Sequence, residues 1–179
     1  MYRSSKSAVV AAVAAATCMA IALSGCSSNT TNSPSGTKTS SASQASNIPK
    51  VTGDYGANPT IAKPKGNPPT ELVVKDLVVG KGTPVSDITK PYLWNYEGIS
   101  WSNGKVFDSS FDRGAPIPFA LNGVISGWTE GLQGIKPGGR RLLIIPPEKG
   151  YGAAGSPPVI GPNETLVFVV DLVGNAPSQ

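Results

Sequence analysis

The chain has 179 residues, among them no histidine and two cysteines, and its 15 Lys and Arg exceed its 11 Asp and Glu to give a formal net charge of +4. Without histidine, the usual Cys/His zinc sites and all Ser–His or Cys–His nucleophile pairs are excluded. The sequence also lacks a P-loop and a GxGxxG after a strand, so nucleotide binding has no support. We expect neither a metal nor a cofactor.

Residues 1–25 resemble a lipoprotein signal peptide. Arg3 and Lys6 precede an apolar, alanine-rich run over residues 8–23, and LSGC ends the segment at residue 26. A basic start, a short apolar run and small residues at the cleavage site are typical of secretion signals. LSGC resembles a bacterial lipobox, which implies cleavage before Cys26 and lipid, such as palmitate, on that cysteine. The alternative is an ordinary secretory signal that contains a cysteine by chance.

We therefore expect a lipid-anchored protein at the outer face of the bacterial cell membrane, in the extracytoplasmic space. Residues 26–68 would be the lipidated cysteine and a flexible tether rich in Ser, Thr and Pro, because such a segment buries too little apolar surface to offset its ordering entropy. Residues 69–179 would form one domain. Those residues hold 9 Lys and Arg against 10 Asp and Glu, or −1, so nucleic-acid binding is not expected. We assume a monomer.

The pattern within residues 69–179 is mostly that of strands joined by turns. The order of the elements favours an α+β fold in which an antiparallel sheet of about five strands covers one short helix. The helix is predicted between residues 125 and 134, where Ile125, Trp128 and Leu132 share a face and three glycines limit its length. The apolar or alternating runs that indicate strands are residues 71–80, 92–96, 105–108, 117–121, 140–146 and 165–173.

The candidate functional residues are aromatic and aliphatic, with few polar anchors, which suits an apolar pocket. Rotation about an X-Pro bond requires such a pocket and little else, because it breaks no covalent bond and needs no acid, base or metal. Its barrier is roughly 18–20 kcal/mol. The twisted amide loses resonance and much of its dipole, so an apolar pocket favours it over the planar amide.

Three stretches resemble the FKBP-type peptidyl-prolyl cis-trans isomerases, and they occur in the family's order: NYEGISWSNGKVFDSSFDRG, VISGWTEGLQGIKPGGRRLLIIPPEKGYG and NETLVFVVDLV. The resemblance covers about residues 72–172. It implies a half-barrel, with the sheet wrapped around the short helix and a proline pocket between the two. It also implies binding of macrolides such as tacrolimus and rapamycin.

The resemblance assigns roles to individual positions. Trp128 matches the pocket floor, and Val124 and Ile125 match the pocket edge, where the Ile125 N–H would hold a substrate carbonyl. The hydroxyl of Tyr151 would donate to a bound ligand. The positions that match pocket walls are Tyr96, Phe107, Asp108, Ile160 and Phe168. Asp108 is also expected to pair with Arg113 and to accept a hydrogen bond from Tyr96.

Some positions depart from the family's pattern. Ile117 matches a substrate-binding position where many relatives have Phe or another bulky residue, which predicts a wider pocket on that side. The Asn122-Gly123 loop is about two residues shorter than is common, and the hairpin that carries Trp101 is about one residue longer.

The primary interpretation is an isomerase that accelerates rotation of X-Pro bonds in secreted or surface proteins. One alternative is a non-catalytic proline-binding or chaperone module anchored at the membrane surface. Another is a surface lipoprotein used for adhesion or spacing, which would leave the matched pocket without a purpose.

Overall fold

The computed structural model describes residues 47–177, so the predicted signal peptide, Cys26 and the first part of the predicted tether lie outside the described residues. The helix α1 is Ser126–Gly131, and two 3-10 turns span Leu121–Gly123 and Pro147–Lys149. No helix within residues 47–177 has the length and hydrophobicity of a membrane span. The strands are β1 Val51–Thr52, β2 Thr60–Ile61, β3 Val73–Val78, β4 Tyr92–Ser100, β5 Val106–Ser109, β6 Ile117–Phe119, β7 Arg140–Ile145 and β8 Leu166–Asn175.

The predicted antiparallel α+β fold is confirmed. Strands β3 to β8 form one six-stranded sheet with the order β3-β7-β8-β4-β5, and every pairing is antiparallel. The sixth strand, β6, pairs only with the first three residues of β4. Each of the six predicted runs overlaps one strand of this sheet, one more than the expected total of about five; β6 is only three residues long and occupies the same edge of β4 as β5.

Both faces of the central strands are buried, so β7 and β8 read as continuous apolar runs rather than as alternating ones. Residues that alternate along each strand belong to different clusters. The inner cluster packs against α1 and includes Trp94, Leu121, Trp128, Leu132, Leu143, Ile145, Phe168, Val170 and Leu172. The outer cluster includes Ile99, Trp101, Leu142, Ile144, Val167 and Val169.

Two glycines allow α1 to lie directly on β7. A Cβ atom at Gly127 would be 2.4 Å from a methyl carbon of Ile145, and one at Gly131 would be 2.7 Å from a methyl carbon of Leu143. Real Cβ contacts are not that short, so a larger residue at either position would push the helix away from the sheet. This close approach fixes the depth at which Trp128 enters the inner core.

Residues 47–68 are ordered, so the predicted flexible tether does not extend through them. β1 and β2 form a small antiparallel ribbon, and Ile48, Val51 and Ile61 pack against the outer cluster of the sheet. The tether prediction failed here because apolar residues in this segment are few and scattered. The surface that they complete lies on the distant strands β4, β7 and β8.

Buried polar contacts hold the ribbon as well. Arg140 and Asp171 form an ion pair whose side chains are 1% and 0% exposed, with Nε 2.6 Å from Oδ1. The remaining guanidinium donors reach the carbonyl oxygens of Gly53 and Ala57 at 2.9 and 2.7 Å, and the N–H of Gly56 donates to Asp171 at 2.9 Å. Each charge is therefore satisfied by the ribbon as well as by its partner, which a buried pair requires.

Candidate functional site

A cavity of about 530 Å³ opens on the inner side of the sheet, between β4, β5, β8 and the start of α1. That volume lies in the range of small-molecule sites, roughly 300–1,000 Å³. Its lining is Tyr96, Phe107, Asp108, Phe119, Gly123, Val124, Ile125, Trp128, Tyr151 and Phe168. Eight of the ten predicted site residues are in this set, and Ile117 and Ile160 are not.

Trp128 forms the floor of the cavity. Its ring meets those of Tyr96 and Phe168 nearly at right angles, with centroids 5.2 and 5.0 Å apart, and it also contacts the ring of Phe119 at 5.3 Å. Edge-to-face contacts of this kind contribute about 0.5–1.5 kcal/mol each beyond area burial. The indole N–H is buried and has no hydrogen-bond acceptor among residues 47–177, so the described contacts that orient Trp128 are ring contacts.

A glycine on β4 gives the aromatic wall its shape. The rings of Phe107 and Phe168 stand at 90° with centroids 5.3 Å apart, directly beside Gly98. A Cβ at Gly98 would lie 2.6 Å from the Phe168 ring and 2.7 Å from the Phe107 ring. The two phenyl rings can therefore close the wall only because this position has no side chain.

Three side chains form a polar corner at one end of the cavity. The Tyr96 hydroxyl donates to Asp108 at 2.6 Å and accepts from Arg113 at 2.6 Å, and Arg113 also pairs with Asp108. Burial of the phenol, followed by its bond to Asp108, raises the pKa of Tyr96 to about 12, so the phenol stays a neutral donor at physiological pH. The bond to Asp108 likewise raises the pKa of Arg113. The predicted Asp108–Arg113 pair and the Tyr96–Asp108 bond are both confirmed.

The backbone at the start of α1 presents a free donor to the cavity. The Ile125 carbonyl accepts from the N–H groups of Trp128 and Thr129, whereas the Ile125 N–H has no acceptor within residues 47–177. The Thr129 hydroxyl donates to the Leu121 carbonyl at 2.6 Å and so ties the helix to the preceding 3-10 turn. Ile125 is thereby held with its N–H available to a ligand carbonyl.

Tyr151 also lines the cavity. It is 42% exposed, and its hydroxyl makes no hydrogen bond within the described chain, which leaves it free to donate. The turn before it is fixed to α1 by the ion pair between Lys149 and Glu130, at 2.7 Å. The cavity therefore has two unpaired donors beside its aromatic floor, the Ile125 N–H and the Tyr151 hydroxyl.

Two of the predicted pocket residues, Ile117 and Ile160, do not line the cavity, and Phe119, which was not predicted, does. Ile160 is 5% exposed and packs within the inner core, and Ile117 packs against the same core beside Trp94, its partner across β6 and β4. Phe119 lies two residues after Ile117, on the same face of β6, and its ring lines the cavity instead. Phe119 thus supplies a bulky side chain on the side of the cavity where Ile117 predicted a wider pocket. The period-two pattern of Ile117-Pro118-Phe119 was the signal that could have located it.

The chemistry of this site is binding without proton transfer or metal assistance from the described residues. Its polar groups are a neutral phenol, an Asp108–Arg113 pair, a second phenol and one backbone N–H. Across residues 47–177, no group of three or more His, Cys, Asp or Glu side chains is placed to hold a metal ion. The aromatic floor and walls suit a flat, apolar five-membered ring with carbonyl groups on both sides.

Comparisons with known proteins agree with this geometry. The family described as FKBP-type peptidyl-prolyl cis-trans isomerase matches residues 92–173. A probable FK506-binding protein of Corynebacterium glutamicum is 45% identical over 119 residues, which cover 64% of this chain and 96% of the relative. An FK506-binding protein of Streptomyces anulatus is 46% identical over 118 residues, covering 64% of this chain and 94% of the relative.

Solved structures show the same fold. The crystal structure of FkpA from Escherichia coli matches with a TM-score of 0.55 at 49% identity, covering 60% of this chain and 50% of that one. The crystal structure of AtFKBP13 matches with a TM-score of 0.55 at 35% identity, covering 61% of this chain and 96% of that one.

The sheet, the short helix and the aromatic pocket between them define a proline-binding fold. The chain belongs to the family of FKBP-type peptidyl-prolyl cis-trans isomerases. It is a rotamase that catalyses the cis–trans isomerisation of X-Pro bonds. The alternative of a non-catalytic binding module is not favoured, because relatives that match at 44–48% identity are themselves named isomerases.

Proposed function

We propose that this isomerase acts outside the bacterial cytoplasmic membrane, anchored by lipid on Cys26, on secreted or surface proteins as they fold. The LSGC sequence after a short apolar run supports this location. X-Pro isomerisation takes about 10–100 s at 25 °C without a catalyst and limits the folding of many chains. A tethered monomer would encounter such chains as they emerge from the membrane.

The proposed mechanism rests on the aromatic floor. The substrate proline lies on Trp128, and the surrounding rings exclude water from the prolyl amide. The Ile125 N–H and the Tyr151 hydroxyl bind carbonyl groups on either side of the proline, which fixes the chain while the amide rotates between them. The apolar surroundings favour the twisted amide over the planar one, and each 1.4 kcal/mol of this preference gives about a tenfold acceleration.

The pocket is also proposed to bind macrolides such as tacrolimus and rapamycin. Two relatives that the chain covers almost completely carry FK506 binding in their names. The cavity of about 530 Å³ is large enough for part of such a ligand. Binding would occupy the Trp128 floor and compete with substrate.

Metabolic labelling with an alkyne-tagged palmitate tests the proposed anchor. The full chain, expressed in a bacterium, should take up the label, and Cys26→Ser should abolish it. Cys18→Ser is the matched control, because Cys18 lies within the predicted signal peptide and should leave labelling intact. Labelling that survives Cys26→Ser would contradict the anchor. Sedimentation of the mature chain that carries Cys26→Ser should give the mass of a monomer.

A further inference from the structure

Four lysines lie together at the open end of the β1–β2 ribbon. The N–H of Ala62 donates to the Lys50 carbonyl at 2.9 Å, so Ala62 pairs with Lys50 and Lys63 is the residue that follows this pair. The Lys63 side chain crosses the β4–β5 turn, where a Cβ at Gly104 would be 2.9 Å from its Cγ. The four side chains are exposed, and we call them the basic patch: Lys50, Lys63, Lys65 and Lys105.

The charges of the basic patch are not neutralised within the protein. None of the four lysines forms an ion pair with any residue of the described range, whereas Arg113, Arg140, Arg141 and Lys149 all do. The nearby carboxylate of Glu164 accepts hydrogen bonds from the backbone N–H and the hydroxyl of Ser102, which hold it at the hairpin. Several unpaired like charges within one small area attract an anionic surface.

The ribbon that carries three of these lysines is firmly attached to the sheet. The Trp101 indole N–H donates to the Gly66 carbonyl at 3.2 Å, and Pro49 and Pro64 are buried. The basic patch is therefore a fixed surface and not part of a flexible tail. It belongs to the outer side of the sheet, whereas the cavity opens on the inner side.

The chain also leaves the described domain at this end. The side chain of Asn47, the first described residue, donates to the Asn67 carbonyl at 3.0 Å, beside Gly66. From there, about 20 residues, 27–46, lead back to Cys26. An anchor on Cys26 would therefore attach the domain to the bilayer through this end.

We propose that the basic patch binds the anionic headgroups of the membrane to which the chain is anchored and so turns the proline pocket away from the bilayer. This proposal rests on the lipid anchor proposed at Cys26. A lipid chain together with a cluster of lysines gives stable membrane attachment, where a single acyl chain gives only reversible binding. Each lysine at an anionic surface strengthens the binding about fivefold, and salt weakens the attraction.

Vesicle sedimentation tests the proposal directly. The probe is the mature chain that carries Cys26→Ser, so that no lipid contributes, with vesicles of phosphatidylcholine alone or with about a third phosphatidylglycerol. We expect binding only to the anionic vesicles, and a steep loss of binding with added salt. Replacing all four lysines of the basic patch with glutamine should weaken it by roughly several hundredfold.

The matched control replaces four exposed lysines elsewhere in the domain, which lie outside the ribbon and make no ion pair in the described range: Lys75, Lys81, Lys90 and Lys136. Both variants lose four positive charges, so a general effect of net charge would be equal in the two. Only the basic patch variant should lose vesicle binding by roughly several hundredfold. Equal losses in the two variants, or binding that ignores phosphatidylglycerol, would overturn the proposal.

A second readout reports the orientation. Peptide isomerisation by vesicle-bound protein should equal that of free protein, because the pocket faces solution. A loss of activity on anionic vesicles would contradict an outward pocket. The palmitate labelling of Cys26 is independent of both results, so a failure of the anchor and a failure of the basic patch are distinguishable.

Discussion

Removal of the Tyr96 hydroxyl tests the polar corner of the pocket. In Tyr96→Phe the ring keeps its edge-to-face contact with Trp128, and Asp108 keeps its ion pair with Arg113. What disappears is one hydrogen bond to the carboxylate and one from the guanidinium, both at 2.6 Å. The substitution therefore changes the polar corner with little change in the packing of the inner core.

The structure sets the size of the effect. Hydrogen bonds to charged groups contribute about 1.5–3 kcal/mol. The side chains of Asp108 and Arg113 are 41% and 44% exposed, so water replaces part of that contribution. The polar corner fixes the pocket wall while the X-Pro bond rotates. We therefore expect Tyr96→Phe to lose about 1–2 kcal/mol of transition-state stabilisation, which is roughly a 5–30-fold decrease in kcat/KM.

Relaxation of a short Leu-Pro peptide from cis to trans measures kcat/KM, and thermal unfolding checks that the fold is retained. Tyr55→Phe is the matched control: it removes a hydroxyl that donates to the Leu172 carbonyl at 3.2 Å from the ribbon, on the outer side of the sheet. It should leave kcat/KM unchanged. If Tyr96→Phe and Asp108→Ala both kept the wild-type kcat/KM, the polar corner would have no part in turnover.

Three further outcomes follow from the same contacts. Gly98→Ala should raise KM and destabilise the fold by about 1–3 kcal/mol, because its methyl group overlaps the Phe107 and Phe168 rings; wild-type KM would contradict the described wall. Asp171→Ala should lower the free energy of unfolding in urea by about 3–5 kcal/mol, because it leaves the charge of Arg140 buried and unpaired, and a loss below 1 kcal/mol would refute that reasoning. Stability should fall as pH rises from 10 toward 12, because the raised pKa of Tyr96, about 12, keeps its proton on the folded protein after the unfolded chain has lost it. Tyr96→Phe should lack this part of the decrease, and an identical pH profile in the variant would contradict the assignment.

The main strands and the helix could be predicted because their causes are local. The apolar runs of β7 and β8, the alternation in β4 and the glycines around Trp128 each specify an element from a few neighbouring residues. The Tyr96–Asp108–Arg113 corner could also be predicted, since the family's motif brings those positions together.

The ribbon could not be predicted in the same way. Its conformation depends on Arg140 and Asp171, which follow the ribbon residues that they contact by more than 80 positions, and its own sequence has the composition of a linker. Three prolines that suggested an unfolded tether are buried in or beside the ribbon: Pro49, Pro59 and Pro64. The prediction of Ile117 and not Phe119 as a cavity residue has a different origin. The two lie on the same face of β6, so the alternating pattern marks both, and only the pairing of β6 with β4 decides which of them reaches the cavity.

The most direct test of the account follows Leu-Pro peptide relaxation with the mature chain carrying Cys26→Ser, in the presence and absence of tacrolimus. A parallel Trp128→Leu variant removes the aromatic floor while keeping an apolar residue in the inner core. The account predicts acceleration by the wild-type sequence, its abolition by tacrolimus, and a decrease of at least about tenfold in the variant. A folded chain that binds tacrolimus without accelerating relaxation, or a Trp128→Leu variant as active as the wild type, would contradict it.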